Sequence, residues 1–422
     1  MNNIVAEPHE QPGAAGIGWF EIRVIAICFA IAALDGFDTQ SIAFVAPALQ
    51  KAWATPPAQF GALFGSGLLG AMLGAILLGS LADRFGRKPL VLISTATFGV
   101  MTLLCATATS IEALGLYRLV AGLGLGGAIP NIIALVSEYA PRRVRSTVIV
   151  ATFTGFPAGA IVGGIVSAGL IPRFGWESVF ILGGVLPLLL LPVIVLGLPE
   201  SRRYLAAARR QSDGRPVTQA VGELFAFGRG RWTILLWLLT FTTLLLAYFL
   251  VNWTPLILVG AGVTHHRAIM GVVLLNLGGI IGSLLLGRIS DRRHPFLALG
   301  AAFGIGAVLI ATVGVMIESP VSTLLGLIFL VGMCIFGAQL NLTALSANYY
   351  PVRMRSTGIG WSMGVGRVGS FIGPVAGGAL VAIGLASGQL FYCAAVPAVL
   401  ACVIVACMYF HVPVVEDDGA AN

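Results

Sequence analysis

The chain has 422 residues, 58% of them hydrophobic and only 10% charged, against about 25% charged in an ordinary soluble domain. A water-soluble fold of that length cannot hide so much apolar surface, whereas lipid accepts it, so a soluble enzyme or binding module is excluded. The formal charge of +7 is not a nucleic-acid signal, because the basic residues sit in short loops between apolar runs, the pattern that sets membrane topology.

In chain order, the first twenty residues are polar and lead into an apolar run that carries acidic residues. That is not the approach to a small-residue cleavage site, so no cleaved leader is expected. Apolar runs follow at 24–46, 58–82, 89–108, 111–136, 146–171 and 178–198, and again at 233–259, 268–289, 295–317, 321–345, 356–383 and 389–411. Each has roughly 20 to 28 residues, long enough to cross a bilayer as a helix. The 55 glycines fit such a bundle, since small residues let membrane helices approach closely. Between the sixth and seventh runs lies a polar stretch, 199–231, with Arg202, Arg203, Arg209, Arg210, Arg215, Arg229 and Arg231. It reads as a linker between an N-terminal bundle, residues 1–198, and a C-terminal bundle, residues 232–422. Cys28, Cys105, Cys334, Cys393, Cys402 and Cys407 fall inside apolar runs without metal or disulfide spacing, and read as small core residues.

Of the 24 lysines and arginines, Lys51, Arg173 and Arg267 fall in odd-numbered loops, and Arg118 and Arg367 within runs. The others lie at the N-terminus, in even-numbered loops or in the linker, so the positive-inside rule puts both termini in the cytoplasm. Two segments recur. Gly79-Ser-Leu-Ala-Asp83-Arg84 after the second run returns as Gly287-Arg-Ile-Ser-Asp291-Arg292 after the eighth. Ser137-Glu-Tyr-Ala-Pro141-Arg-Arg-Val-Arg145-Ser-Thr147 after the fourth returns as Ala347-Asn-Tyr-Tyr-Pro351-Val-Arg-Met-Arg355-Ser-Thr357 after the tenth. Each half starts and ends on one side, so the repeats run parallel about an axis along the membrane normal, with a ligand site expected at the midplane between them.

The loop from Gly79 to Leu90, GSLADRFGRKPL, resembles the signature between the second and third helices of the major facilitator superfamily, and the likeness covers nearly the whole chain. A narrower resemblance, to the aromatic acid:proton symporters, rests on three segments. They are Leu34-Asp35-Gly36-Phe37-Asp38-Thr39 in the first run, Gly122-Leu-Gly-Leu-Gly-Gly127-Ala-Ile-Pro130-Asn131 in the fourth, and Pro199-Glu200-Ser201 closing the sixth. The resemblance implies an all-α membrane protein of twelve transmembrane helices, in two six-helix bundles related by a pseudo-two-fold axis, in a bacterial inner membrane. It further implies uptake of a benzoate-like or hydroxylated aromatic carboxylate with protons, without a cofactor or a nucleic-acid partner, by a monomer. Another organic acid or a sugar is the alternative substrate, although the seventh run, TFTTLLLAYFLVNWTPLIL, lacks the glutamines of the sugar porters. A non-transporting sensor and a membrane enzyme are weaker alternatives, the second because no metal cluster, nucleophile triad or phosphate loop is visible.

A charge inside a membrane helix costs roughly 2.5–3.5 kcal/mol on insertion scales, which makes Asp35, Asp38, Arg118 and Arg367 the leading site candidates. Asp38 and Arg118 both fall roughly 10–12 Å below the outer surface, and an ion pair is expected. Protonating Asp38 would cancel the pair and free Arg118, the event proton coupling needs. A permanent salt bridge between helices is the other reading. In related proton-coupled facilitators an aspartate and an arginine at matching motif positions play the coupling role. Asp35 shares a helix face with Asp38, and two carboxylates in low dielectric repel, so one holds a proton near neutrality and either could be the carrier. A structural hydrogen bond near Gly36 is the alternative for Asp35. Arg367 falls roughly 18 Å deep, near the midplane, beside Gly364, Gly366, Gly369 and Ser370. A guanidinium there suits a carboxylate substrate; backbone carbonyls are its alternative partners.

Asn252, Gln339 and Asn341 are further substrate-cavity candidates, with Asn131 and Asn276 behind them, each otherwise an interhelical hydrogen bond. Trp253, with Tyr248 and Phe249, could stack on an aromatic ring or simply pack. Asp83, Arg84, Arg87 and Arg145, with Asp291, Arg292 and Arg355 in the second half, read as a cytoplasmic gate closed by salt bridges. Topogenic charge accounts for the arginines but not for the repeated aspartates. His294 beside Asp291 is a candidate titrating group.

Overall fold

Within hydrocarbon every backbone N–H and C=O must find a partner in its own segment, so apolar runs of this length become helices. The computed structural model describes residues 18–141, 144–201, 222, 224–225, 229–292, 295–350 and 355–410. The first half comprises α1 (Trp19–Trp53), α2 (Gln59–Phe85), α3 (Arg87–Cys105), α4 (Ile111–Tyr139), α5 (Arg145–Phe153), α6 (Gly155–Phe174) and α7 (Glu177–Gly197). The second comprises α8 (Gly230–Gly260), α9 (His265–Arg292), α10 (Pro295–Val315), α11 (Val321–Val331), a π turn (Gly332–Phe336), α12 (Gly337–Tyr349), α13 (Arg355–Ala382) and α14 (Ser387–Phe410). These form the twelve expected spans, α5 with α6 making the fifth and α11, the π turn and α12 the tenth. Eleven spans are apolar and long enough to cross a membrane. The remaining one, α1, is the longest helix at 35 residues and carries both aspartates.

The fifth span departs from the single helix expected over 146–171. It breaks at Thr154, because Pro157 has no N–H to offer the carbonyl of Phe153. The linker reading needs trimming at both ends. Ser201 is fully buried and bonded to the first half through Glu138. Leu224 is buried too, its carbonyl accepting from Thr233 Oγ1 at 2.9 Å. Most of the stretch between lies outside the described residues. The cysteines also differ from expectation: Cys28 and Cys105 are buried, but Cys407 is exposed and the other three are partly so, as lipid-facing positions allow.

Glycines set which spans touch, and they do so twice. In the first half, Gly70 and Gly74 of α2 lie against the backbone of Leu119 and Leu123 in α4, while Gly122 and Gly126 of α4 lie against Gly67 and Ala71. In the second half, Gly278 and Gly282 of α9 meet Phe329 and Met333, and Gly332 and Gly337 meet Leu275 and Gly282. A Cβ at any of these positions would collide with backbone. The first and fifth spans meet through Gly36 and Gly159, and the seventh and eleventh through Gly369 and Gly373. The sequence repeat is thus also a packing repeat.

The hydrogen bonds and ring contacts joining the halves among the described residues gather toward one end, that of the α1–α2 and α8–α9 loops. Gln40 Nε2 donates to Asn276 Oδ1 at 3.1 Å, and Asn276 Nδ2 returns a bond to Gln40 Oε1 at 2.9 Å. His265 Nε2 lies 2.7 Å from the Phe44 carbonyl, and His266 Nδ1 lies 3.3 Å from that of Ala168. Phe64 meets Trp253 edge to face at 5.5 Å, and Gly61 of α2 packs on Gly378 of α13.

Candidate functional site

The site starts from α1. Gly36 leaves room for the Phe156 carbonyl of α6, which presses the middle of α1 against the fifth span and fixes how its aspartates are turned. Asp38 faces its own half. Its Oδ2 lies 2.9 Å from Arg118 Nη1, with side-chain exposures of 0% and 3%. Arg118 Nη2 donates to the Asp38 carbonyl at 3.0 Å, as does Ser41 Oγ at 2.7 Å. Thr102 Oγ1 of α3 donates to Asp38 Oδ1 at 2.6 Å. Every acceptor of the buried carboxylate is occupied, the condition under which a buried ion pair is tolerated.

Asp35 is held otherwise. Its Oδ1 accepts from Thr39 Oγ1 at 3.1 Å, and it lies within electrostatic reach of Arg367 on α13 as well as of Asp38 and Arg118. Tyr248 of α8 feels both Arg367 and Asp35. Three groups from the first, seventh and eleventh spans thus converge between the halves. Arg367 is half-buried, and its guanidinium has no ion pair or hydrogen bond among the described residues; only its carbonyl is engaged, by Ser370 Oγ at 2.7 Å. The backbone-carbonyl alternative for this side chain is not what the structure contains.

The uncharged candidates divide. Gln339 is half-buried with no side-chain hydrogen bond among the described residues. Asn252 spends its amide on the Tyr248 carbonyl at 2.8 Å, and Asn341 donates to Ser283 O at 3.1 Å and Gly337 O at 2.8 Å. Trp253 is taken up in the seam, its Nε1 donating to Pro374 O at 3.0 Å; as arranged here it packs rather than faces a ligand. Asn131 Nδ2 donates to the Gly127 carbonyl of its own helix at 2.8 Å.

The gate reading changes. Arg87 pairs with Glu138, and Ser201 Oγ donates to the same carboxylate at 2.9 Å. Glu200 Oε1 receives Arg87 N at 2.8 Å and Lys88 N at 3.2 Å, a carboxylate on a helix N-terminus. Among the described residues, this network ties α3, α4 and the end of α7 within one half. It also accounts for Gly86: its φ of +94° favours glycine, and a side chain there would meet Glu200. Arg84 is exposed and lies over the Phe85 ring at 5.4 Å, while Arg145 has a buried Nε without a partner among the described residues. The side chains of Asp83, Asp291, Arg292 and Arg355, and all of His294, lie outside the described residues. Among the described residues no group of His, Cys, Asp and Glu could hold a metal ion.

Sequence reasoning missed Thr102, Gln40, Glu138 and Glu200. Glu200 stood in a recognised motif and Glu138 in a repeated segment, so partners for the basic loop were available. Nothing in spacing marked Thr102 or Gln40.

Residues 28–374 match the Major Facilitator Superfamily. The chain is 36% identical over 411 residues to a gallate transporter of Pseudomonas putida, covering 90% of each. It is 35% identical over 410 residues to a 4-hydroxybenzoate transporter of the same species, covering 91% of each. Among solved structures, a bacterial homologue of the human lysosomal transporter Spinster superposes with a TM-score of 0.75 at 18% identity, covering 94% of this chain and 97% of that one, a likeness of fold. The chain belongs to the major facilitator superfamily, and is a multi-pass membrane transporter rather than an enzyme.

Proposed function

We propose that this transporter imports an aromatic carboxylate of the benzoate or hydroxybenzoate type together with protons, by rocking its two halves about a midplane site. It works as a monomer in a bacterial inner membrane with both termini cytoplasmic, and the closed seam is then the outer end. The observation that carries the reading is the Arg367 guanidinium, without an ion pair or hydrogen bond among the described residues and within electrostatic reach of Asp35 in the other half, while the other intramembrane arginine is locked to Asp38 inside one half. The names of its relatives, a gallate and a 4-hydroxybenzoate transporter, support the same substrate class.

Arg367 binds the substrate carboxylate through its fork of donors and never loses its charge. Asp35 and the substrate are both anions beside that guanidinium, so substrate is held best when Asp35 carries a proton. A proton on Asp38 cancels its pairing with Arg118 and loosens the first half from its resting arrangement. With one proton per monoanion the cycle is electroneutral. A second proton adds the membrane potential, about 2.3 kcal/mol per charge per 100 mV. Gln339, half-buried and unbonded, is a further contact for a ring substituent.

The test is uptake of labelled benzoate and 4-hydroxybenzoate into proteoliposomes under an inward proton gradient, for the native protein, Asp38→Asn and Arg367→Ala. The expected result is gradient-dependent uptake that loses gradient control in Asp38→Asn and disappears in Arg367→Ala. No gradient-driven uptake of either compound in sealed vesicles overturns the substrate class or its coupling, and a panel of aliphatic acids and sugars then identifies the cargo.

A further inference from the structure

The two oxygens of Asp38 are held differently. Oδ2 faces Arg118 Nη1 at 2.9 Å, and Oδ1 faces the Thr102 hydroxyl at 2.6 Å. Thr102 is fully buried in α3. An arginine can only donate, but a hydroxyl both donates and accepts. A proton arriving on Oδ2 would meet N–H groups that cannot accept it. On Oδ1 it meets an oxygen with free lone pairs, provided the hydroxyl turns.

We infer that Thr102 is a positioning residue for proton loading: its hydroxyl donates to Oδ1 while Asp38 is ionised, and turns to accept from the new Oδ1–H when a proton arrives. One proton leaves water and one O–H bond forms on Asp38. The Thr102 hydrogen swings to a carbonyl one turn back in its own helix, as threonines in helices do, and no other covalent bond changes. The inference rests on the proton-coupling reading above. The charged or titratable groups facing Asp38 are Arg118 from α4, Asp35 on its own helix and Cys105 from α3. From α7, Gly183 borders Asp38 Oδ1; Gly67 of α2 lies against Arg118 and Gly163 of α6 against Phe37, and none of the three titrates. Arg367 and Tyr248 act on Asp35.

The measurement is pH-titrated infrared difference spectroscopy of the purified protein, following the carboxylic-acid band that Asp38→Asn abolishes, which needs no transported substrate. Thr102→Val, which keeps the shape and removes the hydroxyl, is expected to shift the midpoint by about one pH unit, the equivalent of ~1.4 kcal/mol. Thr102→Cys, with a weak S–H donor, shifts it less, and Thr102→Ser keeps the native midpoint. If the valine variant does not fold, the cysteine and serine variants carry the same comparison. An unshifted midpoint in the hydroxyl-free variant, or an equal shift in Thr102→Ser, overturns the role of Thr102 and leaves the coupling reading intact. Absence of any titrating band that depends on Asp38 overturns the coupling reading, and this inference with it.

Discussion

Two arginines lie within the membrane part of this chain in opposite circumstances. Arg118 is almost completely buried and gives its donors to one residue, Asp38, inside the first half. Arg367 stands half-buried between the halves with its guanidinium unpartnered among the described residues. Both carry the same cost of placing charge in hydrocarbon. For Arg118 the protein offsets it; for Arg367 the offset is left to something that comes and goes. A pair satisfied inside one rigid half is suited to registering a proton, and an open cation between two moving halves is suited to registering an anion.

The comparison breaks most sharply at Arg367. Arg367→Ala should reduce uptake of aromatic carboxylates at least ~100-fold, the loss of charge-assisted bonds worth about 3 kcal/mol. Arg367→Lys keeps the charge without the fork and should raise KM roughly tenfold. Neither should lower the unfolding temperature measured in detergent, since the side chain has no ion pair or hydrogen bond among the described residues. Arg118→Met should do the reverse and act on stability, because it leaves Asp38 a buried charge without its partner, at about 3–5 kcal/mol. An unchanged melting temperature in Arg118→Met would contradict a structural burden on this pair.

Smaller effects sharpen the picture of the seam. Gln40→Leu leaves the buried Asn276 Oδ1 without its donor while Nδ2 keeps the Val272 carbonyl, at about 1–3 kcal/mol, and should raise hydrogen–deuterium exchange in the first turns of α9. Adding Asn276→Leu should recover most of the protection, since removing both partners costs less than removing one. The smallest change is expected at Asn252→Ala, within about twofold in KM, because its donor already serves a carbonyl of its own helix.

The positions of the twelve spans were legible from apolar length alone, because lipid leaves backbone no other option than the helix. The contact between Asp38 and Arg118 was legible from equal depth, since the rise of a helix converts residue count into distance. What could not be read was anything depending on rotation about the helix axis. Asp35 and Asp38 share a face by spacing, yet one is turned toward Thr102 and Arg118 and the other toward Arg367, a difference of direction set by Gly36 packing on Phe156. The placement of Trp253 escaped the sequence for the same reason: depth placed it well, and rotation put it against Pro374 in this arrangement. The partners of Arg87 within its own half were not read, because its charge was counted without the carboxylates of Glu138 and Glu200 beside it.

The closed seam is made of amides, imidazole-to-carbonyl contacts, glycine backbone and an edge-on aromatic pair; no ion pair across it is found among the described residues. Under the orientation proposed above, that end faces a medium whose salinity the cell does not control. Exposed ion pairs weaken as salt shortens the Debye length, from about 30 Å at 0.01 M to 3 Å at 1 M, whereas dry amide and van der Waals contacts are indifferent to it. The charged network of Arg87, Glu138 and Glu200 lies toward the opposite end, which the same proposed orientation puts in a cytoplasm of regulated ionic strength. The transporter therefore has a seal whose tightness should be the same in fresh water and in brine.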